Sequence, residues 1–213
     1  EIETFGTFSV VAYLVALRFL IAMVLVAVFF PKAQAGLKSL AIWKGGAILG
    51  GLMLVGFVSQ MIALNEINPS TSAFLTSLYV VMTALLTLRM SEHPPRRTLY
   101  WGVFMATLGA GFIEGPPHLT WGWGEVMTVA CALFFALHII YTQKLTTALD
   151  PLMITLSSFI VVGVGSLCLA ILSSNQAPEM MVDVVQREGV LLPVVLLGFG
   201  GSFFCLVALN LFQ

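Results

Sequence analysis

Long apolar stretches recur along the chain, separated by short polar breaks, and the length of each stretch predicts the elements. A helix that spans a bilayer takes ~20 mainly apolar residues, about 17 to 25 in practice. Seven stretches qualify: Phe8 to Phe30, Trp43 to Leu64, Ser70 to Leu88, Thr98 to Ile113, Trp121 to Gln143, Leu152 to Leu172 and Val190 to Phe212. The fourth is short, which predicts an upright helix or a locally thinned bilayer. Between the second and third, the mostly polar run from Asn65 to Ser72 predicts a tight hairpin. In it Asn65 stops one helix, Pro69 opens the next, and Ser70 or Thr71 caps it.

Composition turns this pattern into a fold class. The 213 residues are 59% hydrophobic and 9% charged, with a mean hydropathy of +1.03, whereas a soluble domain carries roughly 25% charged residues. The chain reads as an all-α integral membrane protein. A net charge of −1 leaves no basic surface for nucleic acid. Cys131, Cys168 and Cys205 lie inside apolar runs, where a thiol behaves as a small hydrophobe, and none has metal-ligand or redox spacing. The acidic stretch Glu1 to Thr7 and the long first apolar run do not resemble a cleavable signal peptide.

The few charges then set the orientation. With the amino end of this chain outside, Lys32, Lys38, Lys44, Arg89, Arg96, Arg97 and Lys144 fall on the cytoplasmic side, and only Arg187 falls outside. Arg18 is left within a span. That distribution satisfies the rule that cytoplasmic loops gather Lys and Arg. Trp43, Trp101, Trp121 and Trp123 all stand at the start of a span, where an amphipathic ring occupies the headgroup level.

The chain also repeats itself. Gly56 and "QMIALN" at 60 to 65 are echoed by Gly201 and "FCLVALN" at 204 to 210, an offset of 145 residues. The same offset lays the first span on the sixth and the second on the seventh, while the span at Trp121 to Gln143 has no earlier counterpart. A unit of five helices follows, and an odd number inverts the second copy in the membrane. On this reading the chain lacks the first helix of one copy and the last two of the other. One helix in front and two behind would give ten, and the alternative is a genuine seven-helix protein.

Five segments carry a family resemblance: "ALRFLIAMVLV" at 16 to 26, "ALNEINPSTSAFLTSLYVVMTALL" at 63 to 86, Glu92, "GVFMATLGAGFI" at 102 to 113 and "GWGEVMTVACALFFALHIIYTQKL" at 122 to 145. Their order and spacing resemble the EamA family of the drug/metabolite transporter superfamily. The resemblance implies a ten-helix fold of two inverted five-helix repeats, of which the second to eighth helices are present here. Residues 1–115 would be the first repeat and 119–213 the second. It implies export or exchange of small metabolites such as amino acids, with both termini of the ten-helix protein cytoplasmic. The expected setting is the cell's inner membrane. "SEHPP" at 91 to 95 departs from the family, which has Gly before the Glu and one Pro after it, in a cytoplasmic turn.

Polar groups within the spans are the candidate site. A cation mid-span costs at least ~2.5 to 3.5 kcal/mol unless it faces protein or water, so Arg18 points inward, either as an anchor on helix-end carbonyls or as a charge for a substrate carboxylate or phosphate. The family often has Arg here whatever the substrate. Ser72, Thr76, Tyr79, Thr83 and Thr87 recur at helical steps on one face. That face meets protein or a cavity, with Ser72 and Thr87 serving as interhelical glue and Thr76, Tyr79 and Thr83 as the mid-membrane candidates. Thr128, Cys131, Phe135, His138 and Thr142 repeat the device. His138 either relays a proton or is a hydrogen-bonded packing residue, and Gln60 and Asn210 are amides able to bond substrate or a neighbouring helix. Clustered glycines, among them Gly45, Gly46, Gly50, Gly51 and Gly56, predict closely packed helices.

Function classes follow. A carrier is expected, with Arg18, Gln60, Thr76, Tyr79, Thr83, Phe135, His138 and Asn210 binding substrate and no metal, cofactor or catalytic residue. The partners are a small molecule and the lipid bilayer. The expected mechanism holds the substrate near the midplane, one end at Arg18 and its body on Tyr79 and Phe135, while the repeats rock. A membrane-embedded enzyme would need paired carboxylates, an H-E-x-x-H or a Ser/His pairing, and Ser157, Ser158 and Ser166 have no evident base. A seven-helix receptor or retinal protein is the other alternative, the latter needing a lysine in its last span.

Overall fold

The computed structural model describes residues 6–90, 101–102, 104–105, 122–174, 177–186 and 189–212. Among these the chain is helical, and six helices are long and apolar enough to cross a membrane: Phe8–Phe29, Leu40–Leu64, Pro69–Thr87, Trp123–Thr146, Pro151–Ser173 and Leu191–Leu211. The protein is an all-α, multi-pass membrane protein. Of the seven spans read from the sequence, the fourth falls largely outside the described residues, as do the turn at 91–95 and the repeat boundary between 115 and 119.

Local chemistry sets the ends of each element. α1 (Thr7–Phe29) stops where Phe30 turns out of helical geometry ahead of Pro31, and Pro31–Lys38 winds as a tighter 3-10 helix. α2 (Leu40–Leu64) follows, and the indole Nε1 of Trp43 donates to the Leu37 carbonyl at 2.8 Å, closing that connection. The end of α2 is satisfied by its own turn, because the amides of Asn65, Glu66 and Ile67 donate back to Ile62 and Ala63.

α3 (Pro69–Ser77) opens with Pro69 in its first turn, as the sequence predicts, but the residue at the cap is Asn68 and no side chain caps the helix. Ser70 and Thr71 lie inside the helix and do not cap it. Leu78 alone, in near-helical geometry, separates α3 from α4 (Tyr79–Met90), so the third span is interrupted at a single residue. α5 (Trp123–Thr146) carries Glu125 in its first turn and Lys144 in its last, both favourable to the helix dipole. α6 (Pro151–Ser173) has the strongest cap: Asp150 accepts from the amides of Leu152 and Met153, with Pro151 at the first position.

A short helix, α7 (Ala177–Gln186), follows α6. The last span differs from the single helix expected over Val190 to Phe212. It is α-helical as α8 (Leu191–Leu196), π-helical over Leu197–Phe204 and α-helical again as α9 (Cys205–Phe212). The glycines at 198, 200 and 201, poor α-formers, occupy the π stretch.

The chain divides into two compact units, Glu1–Leu54 with Tyr141–Gln213, and Val55–Ile140. In the first, α1 and α6 run antiparallel. Ser9 Oγ donates to Ser173 Oγ at one end, the Phe19 and Phe159 rings meet edge to face 5.6 Å apart in the middle, and Gly36 abuts Met153 at the other end. α2 runs parallel to α6. Its Ile42 and Leu49 bury with Ile154, while a β-carbon at Gly50 would stand 2.7 Å from Val161 Cβ, so the backbones approach closely. The π stretch lies along α1, where Gly198 faces Ile21 and Phe203 stacks on Phe29 and Phe30. In the second unit α2 and α5 are antiparallel: Gly56 abuts Phe135, and Gly124 abuts Ala63 and Ile67.

Candidate functional site

The second unit assembles polar and aromatic side chains from three helices. Gln60, late on α2, donates through Nε2 to Thr76 Oγ1 on α3 at 3.3 Å. Cys131, fully buried on α5, hydrogen-bonds the Thr76 side chain as well. One helical turn further along α5 stands Phe135, its ring edge to face with Phe57 at 5.3 Å. Gly56 makes room for it, since a β-carbon there would be 3.0 Å from Phe135 Cε1. An amide, a hydroxyl and a thiol therefore sit beside two aromatic rings, with no ionisable carboxylate or amine among them.

The remaining predicted residues of this unit are placed as follows. Tyr79 begins α4 half-buried, and its carbonyl accepts from the Thr83 hydroxyl at 2.7 Å. Thr128 likewise donates to Gly124 of its own helix at 2.9 Å. Such bonds to the carbonyl four residues earlier satisfy a hydroxyl inside an apolar helix. His138 is buried on α5 one turn beyond Phe135. Thr128, Cys131, His138 and Thr142 are all buried, so the α5 stripe faces protein.

Arg18 and Asn210 belong to the first unit. The Arg18 guanidinium lies over the Phe19 ring, 4.9 Å from its centroid, a cation–π contact between neighbours on α1. Asn210 is buried on α9 and its Nδ2 donates to Thr155 Oγ1 on α6. Its Oδ1 meets no hydrogen-bond partner among the described residues. Ser157 donates to the Ile154 carbonyl at 2.9 Å and Ser158 to the Thr155 carbonyl at 2.9 Å. Among the described residues no three His, Cys, Asp or Glu side chains gather as a metal site would require.

Cys131 and Ser72 belong to the predicted stripes but differ in detail from their reading, and Phe57 lies outside the stripes. Cys131 reads as an inert hydrophobe, yet it shares Thr76 with Gln60. Phe57 gives no signal beyond its place next to Gly56. Ser72, read as glue near a helix end, is buried with an Oγ that has no partner among the described residues.

No family model matches the chain, and no curated protein does. A solved structure described only as the crystal structure of a protein shares the fold, with a TM-score of 0.78 at 16% identity. The match covers 94% of this chain and 68% of that chain. At this identity the likeness concerns the arrangement of helices alone.

Proposed function

We propose that the protein is a secondary carrier of the EamA type within the drug/metabolite transporter superfamily, moving small metabolites such as amino acids by alternating access. The observation that carries this reading is the antiparallel packing of α1 on α6. These are the two helices paired by the 145-residue repeat, and copies of an odd-numbered unit must cross the membrane in opposite senses. Moved forward by that offset, α1 falls on 152–174 against the observed Pro151–Ser173, and the 3-10 helix falls on 176–183 against Ala177–Gln186. α2 falls on 185–209, against a final span of Leu191–Leu211.

Helix directions support the seven-span order too. α1 and α6 are antiparallel, α2 and α6 parallel, and α2 and α5 antiparallel. If every apolar helix crosses, an odd number of crossings separates α4 from α5. The sequence-predicted span at 98–113 is the candidate for that crossing.

For substrate, the neutral cluster of Gln60, Thr76 and Cys131 beside Phe57 and Phe135 favours an uncharged or zwitterionic molecule with an apolar body. The amide and hydroxyl would orient it, while the rings contribute contact area. Purified full-length protein in proteoliposomes, offered a mixed amino-acid pool, should show saturable uptake. Tyr79→Ala and Phe135→Ala should raise the apparent KM with expression unchanged. Absence of saturable flux with any metabolite, or unchanged kinetics in both variants, would overturn the reading.

A further inference from the structure

A π-helix holds one more residue per turn than an α-helix, and such stretches usually last a single turn. Here one runs through Leu197–Phe204, eight residues in the middle of a span. Its grip on α1 is at its two ends. A β-carbon at Gly198 would stand 3.1 Å from Ile21 Cγ2 and 3.2 Å from the Arg18 carbonyl, and the Phe203 ring packs on Phe29 at 5.7 Å. Between them Gly200 has nothing within 4 Å, and Gly201 meets only the Leu197 side chain at 3.8 Å. The wide stretch therefore meets α1 at Gly198 and Phe203 and has free space on its Gly200 and Gly201 side.

Downstream, the register of α9 is marked by Asn210, whose Nδ2 bonds Thr155 Oγ1 while its Oδ1 stays unsatisfied among the described residues. Ser202, fully buried in the π stretch, also has an unsatisfied Oγ among them. Thr155 spends its own proton on the Pro151 carbonyl at 2.7 Å, so losing Asn210 would strand no donor on α6. An unsatisfied serine and three glycines lie within the π stretch, and a half-satisfied amide lies six residues beyond its end.

We propose that Leu197–Phe204 is a register joint between two arrangements of α9. Absorbing the extra residue into α pitch advances α9 by one position, ~1.5 Å along its axis and ~100° around it. Leu209 then occupies the place of Asn210, and Thr155 exchanges its amide partner for an apolar side chain. This goes beyond the carrier reading and stands apart from it, because the shift is read by cross-linking rather than by transport.

The test uses the full chain in membranes with Cys131→Ala, Cys168→Ala and Cys205→Ala, and a short bis-thiol reagent. Thr155→Cys is combined in turn with Asn210→Cys, Leu209→Cys and Leu211→Cys. In a fixed register Leu209 is half-buried and Leu211 is 45% exposed, so the joint is read from how the 209 product responds to changes in the π stretch. The expected result is strong cross-linking at 210 and at 209, at least tenfold above 211. Deleting Gly201 removes the extra residue and should preserve the 210 product while abolishing the 209 product. Should the deletion prevent folding, Gly200→Ala with Gly201→Ala, which favours α pitch without a clash, should raise the share of the 209 product. Equal products at 209 and 211, or a 209 product indifferent to these changes, overturns the proposal.

Discussion

Gly46 on α2 lies so close to Ser157 on α6 that a β-carbon there would come within 2.6 Å of the serine's own Cβ. The contact brings Ser157 Oγ to 3.3 Å from the Ile42 carbonyl, so a side-chain donor bridges two backbones. Small residues permit that approach in a bilayer, where helices gain little from hiding apolar surface.

Gly46→Ala should therefore overpack the seam and cost about 1 to 3 kcal/mol. Gly51→Ala, with nothing within 4 Å of its β-carbon, should be neutral or gain up to ~1 kcal/mol of helix propensity. Thermal unfolding in detergent separates them by several degrees, at about 2 to 4 °C per kcal/mol. Equal midpoints for the two variants would show that the seam is looser than described.

Asn210→Leu should leave stability within about 1 kcal/mol of the parent, because the lost interhelical bond is worth ~0.6 kcal/mol on average and the change also removes a buried, unsatisfied Oδ1. Denaturation of the purified variant checks this. A much larger loss would mean that Oδ1 is bonded in the folded protein.

Gln60 and Thr76 should be coupled to each other only weakly, by a bond of 3.3 Å. Gln60→Ala, Thr76→Ala and the double variant should show a coupling near 0.6 kcal/mol in stability. If both also hold the substrate, each single change raises apparent KM about tenfold, the equivalent of ~1.4 kcal/mol. Kinetics that follow the small stability coupling alone would remove these two residues from the site.

Membrane sidedness is equally direct. Gln34→Cys and Ala148→Cys, in a chain whose own cysteines are replaced, should both resist a membrane-impermeant maleimide until cells are permeabilised. Glu179→Cys should react at once. Labelling of positions 34 and 148 from opposite sides would break the seven-span order.

Six spans were legible because length and hydropathy suffice to identify them. The stripe from Thr128 to Thr142 was legible from its 3.6-residue period: Thr128, Cys131, His138 and Thr142 are buried and Phe135 is half-buried. Partners were not legible: Cys131 meets Thr76, and Phe57 meets Phe135, only through the crossing of different helices. The break at Leu78 and the π stretch also gave no signal, since both are apolar, and "LGFGGSFF" reads as span whatever its pitch. Asn68 became the cap in place of Ser70 or Thr71 because Pro69 fixes the first helical residue one position after it.

The bond from Trp43 to the Leu37 carbonyl sets a waterline for the whole chain. With that indole at one headgroup layer, the helix from Trp43 to Leu64 reaches ~33 Å at ~1.5 Å per residue, just past a hydrocarbon layer of ~30 Å. The polar hairpin beyond it surfaces with little slack, so the fit of this span depends on the thickness of the bilayer around it.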